Sequence, residues 1–396
     1  MQFACEIIKR ILALLAGAIF CACIAESAVL SPSLEGLVGA GSQYDTLISI
    51  VVFAEDSTGH SQARKAASAP AMTLKARHER VIKILKSNNS LALQSLKNRL
   101  CTIYPGAELK EFWIAPAVAL ELPASRLADV LDLPGVASVI DNAPIELIEP
   151  VEMELSPQQV SMVRTHLTAL NVPALWSKGL TGRGRLVCNF DTGVEGTHPA
   201  LSGKWRGNVA ANSAAWFAPS SSNTMPFDVT GHGTHTMGLM VGSVELDTFG
   251  VAPGAEWIGA AVIDQGQTLS RTFSDILAAF EWAVDPDGDP ATIDDVPDVI
   301  LNSWGAPTSI LEPCDGTFNQ AIDNVEAAGI VTVFAAGNEG PNPQSLRLPA
   351  NRATTPLNTL AVGAVDHTTN IIATFSSRGP SSCNTSEIKP EVVAPG

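Results

Sequence analysis

Residues Arg185–Val194 read RLVCNFDTGV. Leu, Val, Cys and Phe crowd into a short run that stops at Asp191-Thr192-Gly193, the pattern of a strand buried inside a sheet. A carboxylate therefore stands where the strand gives way to a turn. The same rhythm continues outward through EWIGAAVI from Glu256, DVILNSW from Asp298, IVTVFAAG from Ile330 and TLAVGAV from Thr359. Between these runs the pattern predicts helices opening at Gly231, over Ser270 to Val284 and over Thr317 to Ala328. Apolar strands alternating with helices imply an α/β unit, a mainly parallel sheet with helices on both faces. Such a sheet puts its ligand site at the carboxyl ends of its strands.

The chain before this unit reads differently. DTLISIVVF (from Asp45) is a buried-strand run, and a Ser/Ala/Pro linker follows it. An amphipathic helix is expected over Met72 to Leu100, weakened at the SNNS patch. Strand-like AELKEFWIAPAVALELP, a helix in PASRLADVLDLPGV with Ser125 as a possible cap, and alternating VASVIDNAPIELIEP complete a strand, helix, strand, strand, helix, strand order. This is a small α+β, ferredoxin-like unit over residues 44–150.

At the start, Lys9 and Arg10 precede the apolar run ILALLAGAIFCACIA and small residues, which reads as a secretory signal over residues 1–25. The expected location is therefore secreted, extracellular or periplasmic, without membrane attachment once the signal is removed. An oxidising compartment makes a disulfide plausible among the 7 cysteines. Cys188 lies within an apolar strand, so Cys314 and Cys383, both in loop-like sequence, form the expected pair. From Val160 onward 11 Lys and Arg face 23 Asp and Glu, a net of −12 out of −16. An acidic surface repels phosphate backbones, so nucleic acid is excluded as a partner.

Three polar groups stand at the predicted strand exits. They are Asp191, His232 in GHGTHTMG (Gly231–Gly238), and Asn338 after VFAAG. A carboxylate, an imidazole and an amide are parts suited to acyl transfer: one orients the base, one moves a proton, one donates to a developing oxyanion. Each also has a plainer reading. Asp-Thr-Gly fits an ordinary turn, and His232 with His235 could bind zinc with His198 as third ligand. The zinc reading lacks the four-residue offset and the acid beside the first His that zinc hydrolases use. DPDGDPATIDDVPD (Asp285–Asp298) offers Asp285, Asp287 and Asp289 to calcium on alternate residues around Gly288, yet its prolines equally fit a solvated loop.

Taken in order, DTGV at Asp191, GHGTHTMG, LNSWG at Leu301, VFAAGNEGP at Val333, AVGAVD at Ala361 with FSSRGP at Phe375, and IKPEVVAPG at Ile388 resemble the successive signatures of the subtilisin-like serine proteases. The flavour of LNSWG and IKPEVVAPG is similar to the bacillopeptidase F branch. The resemblance spans Val172 to Gly396 and implies a subtilisin-like peptidase domain over residues 160–396. It implies that Asp191 is the triad carboxylate, His232 the general base, His235 a structural helix residue and Asn338 the oxyanion amide. Ser303, Trp304 and Gly305 match an edge segment that pairs with extended substrate, and Ala335, Ala336 and Gly337 match the other wall of the primary pocket. The 44–150 unit then resembles a propeptide, so the implied partners are protein or peptide substrates and the chain's own propeptide. No cofactor is implied as required; Ala200 stands where many relatives carry an acidic calcium ligand.

The family's Gly-Thr-Ser-Met-Ala nucleophile segment has no match, and Ser376, Ser377 and Ser386 lack its flanks. The resemblance thus implies a secreted serine endopeptidase whose serine lies beyond Gly396 and whose sheet is incomplete here, so this chain is expected to be inactive as given. The alternative is a short non-catalytic product acting as inhibitor, folding chaperone or binding protein. Arg347 falls near the expected base of the primary pocket, where a guanidinium would favour an acidic substrate side chain; turned to solvent it would confer no preference.

Overall fold

The computed structural model describes residues 28–39, 46–55, 58–70, 72–149, 165–245, 247–264, 272–306, 311–353 and 359–396. The expected signal segment and the stretch between Pro150 and Thr165, where the two expected units join, lie outside these residues.

The amino-terminal unit runs β1 (Val29–Leu30), α1 (Pro32–Gly39), β2 (Leu47–Ala54), α2 (Thr58–Ala67), α3 (Leu74–Ile103), β3 (Lys110–Phe112), β4 (Ala117–Pro123), α4 (Leu127–Leu131) and β5 (Val136–Asp141). Its sheet order is β1-β5-β2-β4-β3. Leaving β1 aside, all pairs are antiparallel in the expected α+β order. Helix α3 does not break at SNNS: Asn89 is buried and donates to the Trp113 carbonyl at 2.7 Å. A helix N-cap is present, but at Thr73, whose hydroxyl accepts from the Ala76 N–H at 3.2 Å. At α4 a 3₁₀ turn over Ala124–Arg126 leads in instead, with no side-chain cap bond. Three parts are absent from the sequence reading: the β1 edge strand, which pairs in parallel with β5, helix α1 after it, and α2, which falls in the expected linker.

A two-residue strand β6 (Glu146–Leu147) ends this part, and the second unit begins with α5 (Thr165–Ala169) and α6 (Val172–Trp176). Then follow β7 (Leu186–Asp191), β8 (Trp216–Phe217), α7 (His232–Val241), the hairpin β9 (Ser243–Val244) and β10 (Asp247–Thr248), β11 (Glu256–Ala261), α8 (Thr272–Val284), β12 (Val299–Asn302), β13 (Trp304–Gly305), α9 (Asn319–Ala328), β14 (Val331–Ala335), β15 (Leu360–Asp366), β16 (Ile371–Ile372) and β17 (Val392–Pro395). The main sheet is ordered β16-β15-β14-β12-β7-β11-β8, with β17 also on β15. Every pair in it is parallel except β15 with β16. All six residues of β7 are buried, so both faces of its sheet are covered. Helices α7 and α8 pack on β7, and α9 packs on β14. This is the α/β architecture the RLVCNF run predicts, with the carboxyl ends of β7, β12 and β14 on one edge.

The two units share an apolar core. Phe53, Val81, Ile82 and Phe112 of the first cluster with Phe273, Phe318, Ile322 and Val325 of the second. Burying each such side chain is worth roughly 1.5–3 kcal/mol, and it is the dominant favourable term joining the units. Polar contacts set the register around it. Asn324 donates to the Ile114 carbonyl at 2.6 Å, His60 Nδ1 meets Asn324 Oδ1 at 3.1 Å, and Asn142 Nδ2 donates to Ser274 Oγ at 3.0 Å. Lys86 pairs with Asp285, Lys110 with Asp275 at 3.2 Å and Arg64 with Asp323 at 3.7 Å.

Candidate active site

Asp191 is the last residue of β7 and is 1% exposed. Its Oδ1 lies 2.6 Å from His232 Nδ1 and accepts the Thr192 N–H at 2.8 Å; its Oδ2 accepts from Thr236 Oγ1 at 3.1 Å. A buried carboxylate with this many donors is held in one orientation, and it fixes the imidazole with Nδ1 turned inward. His232 is the first residue of α7. Burial alone would pull its pKa down, but the hydrogen bond and charge of Asp191, with the charges of Glu149 and Asp228, outweigh it and hold the pKa above the ordinary value.

Helix α7 approaches β7 closely because residue 233 has no side chain. A Cβ there would sit 2.0 Å from the Gly193 carbonyl oxygen and 3.0 Å from the Asp191 Cβ. The same turn needs Gly193, at φ +132°, where a Cβ would meet the Phe227 oxygen at 2.1 Å. Asp228 secures the helix start. Its carboxylate accepts from the N–H groups of Gly231 at 3.0 Å and Thr234 at 2.8 Å, and from the hydroxyls of Thr234 at 2.6 Å and Thr192 at 2.9 Å. Burial alone would raise the Asp228 pKa; these donors reverse that and lower it. Asp228 and Thr236 were missed from sequence, although an acid three residues before the Gly231 helix start is a legible capping signal.

The other histidines lie apart from this pairing. His235 is exposed on α7, and His198 Nδ1 accepts the Ala200 N–H at 3.2 Å. Among the described residues no three His, Cys, Asp or Glu side chains are grouped to hold a metal. In the acidic loop Asp285 pairs with Lys86, Asp287 Oδ1 accepts the Asp289 N–H at 2.8 Å, and Asp289 Oδ1 accepts the Ala291 N–H at 3.0 Å. These are the contacts of a turn that caps its own backbone. Cys314 and Cys383 are both free and exposed, not bridged as expected; the Cys383 thiol is 3.2 Å from the Pro313 carbonyl it donates to. Ser376 Oγ accepts the Ala364 N–H at 3.0 Å, Ser377 Oγ donates to Glu339 at 3.0 Å and Ser386 Oγ donates to Asn384 at 2.7 Å.

The remaining expected residues meet along the tail of the first unit. Strand β6 pairs antiparallel with β13, Leu147 opposite Trp304 and Glu146 opposite Gly305. The Ile148 N–H extends the ladder to the Ser303 carbonyl at 3.1 Å. Trp304 itself is buried, packed on Phe318 and Phe334 at ring separations of 5.4 Å each. One residue further on, Asn338 Nδ2 donates to the Glu149 carbonyl oxygen at 2.6 Å. Ala336 and Gly337 are buried and bonded through their backbones to Val362 and Ser377, forming a second wall after β14. Ser303–Gly305 on one side and Asn338 on the other therefore hold one extended peptide, the chain's own. Arg347 neither turns to solvent nor stands free: it is 16% exposed, and its Nε donates to Glu339 Oε1 at 2.7 Å.

Residues 182–396 match the profile of the Subtilase family, Peptidase S8. Bacillopeptidase F of Bacillus subtilis is 32% identical over 310 residues, 73% of this chain and 21% of that protein. Subtilisin E of Bacillus subtilis is 29% identical over 309 residues, 77% of this chain and 68% of its own length. Among solved structures, fervidolysin from Fervidobacterium pennivorans, described as a keratinolytic enzyme related to subtilisin, has a TM-score of 0.58 at 20% identity, covering 93% of this chain and 49% of that one. The epidermin leader peptide processing serine protease of Staphylococcus aureus has a TM-score of 0.56 at 15% identity, covering 88% of this chain and 76% of that one. These two share the fold. The chain spans about a fifth of bacillopeptidase F.

Proposed function

Because the chain belongs to the subtilase family, we propose that it is part of a secreted serine endopeptidase made as a zymogen, with Asp191 and His232 as two members of its Asp-His-Ser triad. The observation that carries this reading is the 2.6 Å contact of His232 Nδ1 with the buried Asp191 carboxylate, which leaves Nε2 as the proton acceptor. His232 takes the proton of the serine hydroxyl as its oxygen adds to the substrate carbonyl. The negative charge that builds on that carbonyl oxygen is met by the Asn338 amide, and the resulting tetrahedral intermediate expels the amine, which leaves with the proton from His232. Water, deprotonated by the same imidazole, then releases the acyl group. Asp191 keeps the imidazolium oriented. No step calls for a metal.

In this reading the substrate is a protein or peptide lying extended against Ser303–Gly305. The tail Glu146–Glu149 is its stand-in, since a strand added to an edge is how an extended peptide gains backbone bonds without a preformed partner. The first unit is then a propeptide that fills the cleft with its own end, the Glu149 carbonyl standing where the reacting carbonyl of a substrate would stand.

A fluorophosphonate probe tests the reading on the protein expressed with the coding sequence that follows Gly396. Covalent labelling abolished by His232→Ala supports it. Absence of labelling, with a stop codon directly after Gly396, would sink it in favour of a non-catalytic product.

A further inference from the structure

Beside the tail, Arg347 makes a contact that neither the triad nor the oxyanion amide uses. Its Nη1 lies 3.3 Å from Glu146 Oε2 and 3.4 Å from the Gly305 carbonyl oxygen, the ladder position directly opposite Glu146. The guanidinium is held on three sides. Glu339 grips Nε at 2.7 Å, and two glycines make room for the stem: a Cβ on Gly305 would meet Arg347 Cβ at 2.7 Å, and one on Gly337 would meet its Cγ at 3.3 Å. The side chain is thus clamped between the two walls of the cleft, with its fork directed at one residue of the bound strand. Glu339 satisfies the Nε edge and leaves Nη1 for an incoming carboxylate, a fixed donor of the kind that discriminates charge as well as shape.

We propose that Arg347, positioned by Glu339, forms a subsite for an acidic side chain three residues upstream of the carbonyl held by Asn338, and that Glu146 is the internal occupant of that subsite. This rests on reading the β6–β13 ladder as the mode of substrate binding. It assigns the enzyme to substrates carrying Glu or Asp at that place. Gln there loses the charge, and Lys there faces the guanidinium with like charge.

Two measurements test it, and they fail separately. In the 396-residue chain, amide hydrogen exchange over Glu146–Glu149 reports how tightly the tail is docked, with no catalysis involved. Glu146→Gln and Arg347→Gln are each expected to speed exchange about 3- to 10-fold, somewhat more than a fully exposed ion pair gives. The double variant should be no faster than Arg347→Gln alone, and Arg347→Lys should keep part of the protection. Unchanged exchange in Glu146→Gln, or effects that simply add, overturns the subsite. In the longer, probe-reactive enzyme, quenched peptides spanning residues 144–156 with Glu, Gln or Lys at the position of Glu146 should be cleaved with kcat/KM falling in that order, Glu over Gln by about 3- to 10-fold, and Arg347→Gln should level the series. Equal rates for Glu and Gln overturn it; loss of probe labelling overturns the protease reading instead, while the exchange experiment still decides the subsite.

Discussion

The side-chain amide of Asn338 donates to the carbonyl oxygen of Glu149 at 2.6 Å, across 189 residues of sequence. In the proposed reading this amide donor meets a substrate carbonyl as it meets the chain's own Glu149 carbonyl. Replacing Asn338 by Ala removes one donor whose strength grows as charge develops. Turnover should fall about 10²- to 10³-fold with little change in KM, measured by steady-state kinetics of the longer enzyme.

Asp191 acts through His232. Asp191→Asn keeps the volume but presents an amide to Nδ1, which favours the wrong tautomer. The expected loss in kcat is on the order of 10⁴-fold, with the acid limb of the pH–rate profile displaced downward because the partner that raises the His232 pKa is gone. An acid limb left in place would count against Asp191 as the orienting group.

Asp228 has no chemical role in the proposed reaction, yet six donor groups of Thr192, Thr230, Gly231 and Thr234 converge on it. Asp228→Ala should cost about 1–2 kcal/mol in chemical denaturation, the range for a lost helix cap, with Asp228→Asn recovering part of it. Because α7 begins at His232, the same variant should lower turnover more than a comparable cap lost elsewhere.

Glu281 gives the junction of the two units a pH response. Its Oε1 accepts the Ile114 N–H at 2.9 Å and also the Trp113 N–H, with Lys110 and Lys86 nearby. Burial raises its pKa from 4.5 to about 7, against the pull of those donors and lysines. The folded state therefore holds the proton longer than the unfolded chain, so this group's contribution weakens as pH rises from about 4.5 to 7. His78, buried at the same junction with its pKa lowered below 6.5 by desolvation, has the opposite slope and loses stability as pH falls through 6.5. Glu281→Gln should remove the loss of stability between about pH 4.5 and 7; denaturation midpoints at pH 5 and pH 7.5 in the two proteins measure the difference.

Asp191, His232 and Asn338 were legible because each is the first polar side chain after a buried strand or at a helix start, and local pattern fixes such places. The ladder between Glu146 and Gly305 was not, since pairing across well over a hundred residues leaves no periodic trace in either segment. Helix α2 escaped for another reason: it buries only Gly59, Ala63 and Ala66, residues too small to mark an apolar stripe. Arg347 was singled out from sequence, but its partners Glu339 and Glu146 come from a turn and from the other unit. Asn89 likewise reads as a helix weakness until the Trp113 carbonyl it serves is in view.

The lysines and arginine at the junction are supplied by the first unit, and the aspartates they meet, Asp275, Asp285 and Asp323, by the second. In the proposed zymogen, a cut in the connecting peptide would leave the halves held by a shared apolar core and by opposite charges of which one side lies in an already acidic unit. Ionic strength then acts on the two bonds in opposite directions, screening the charge pairs while leaving or strengthening the apolar contact. The surrounding medium, as much as the cut itself, sets how long the severed halves stay together.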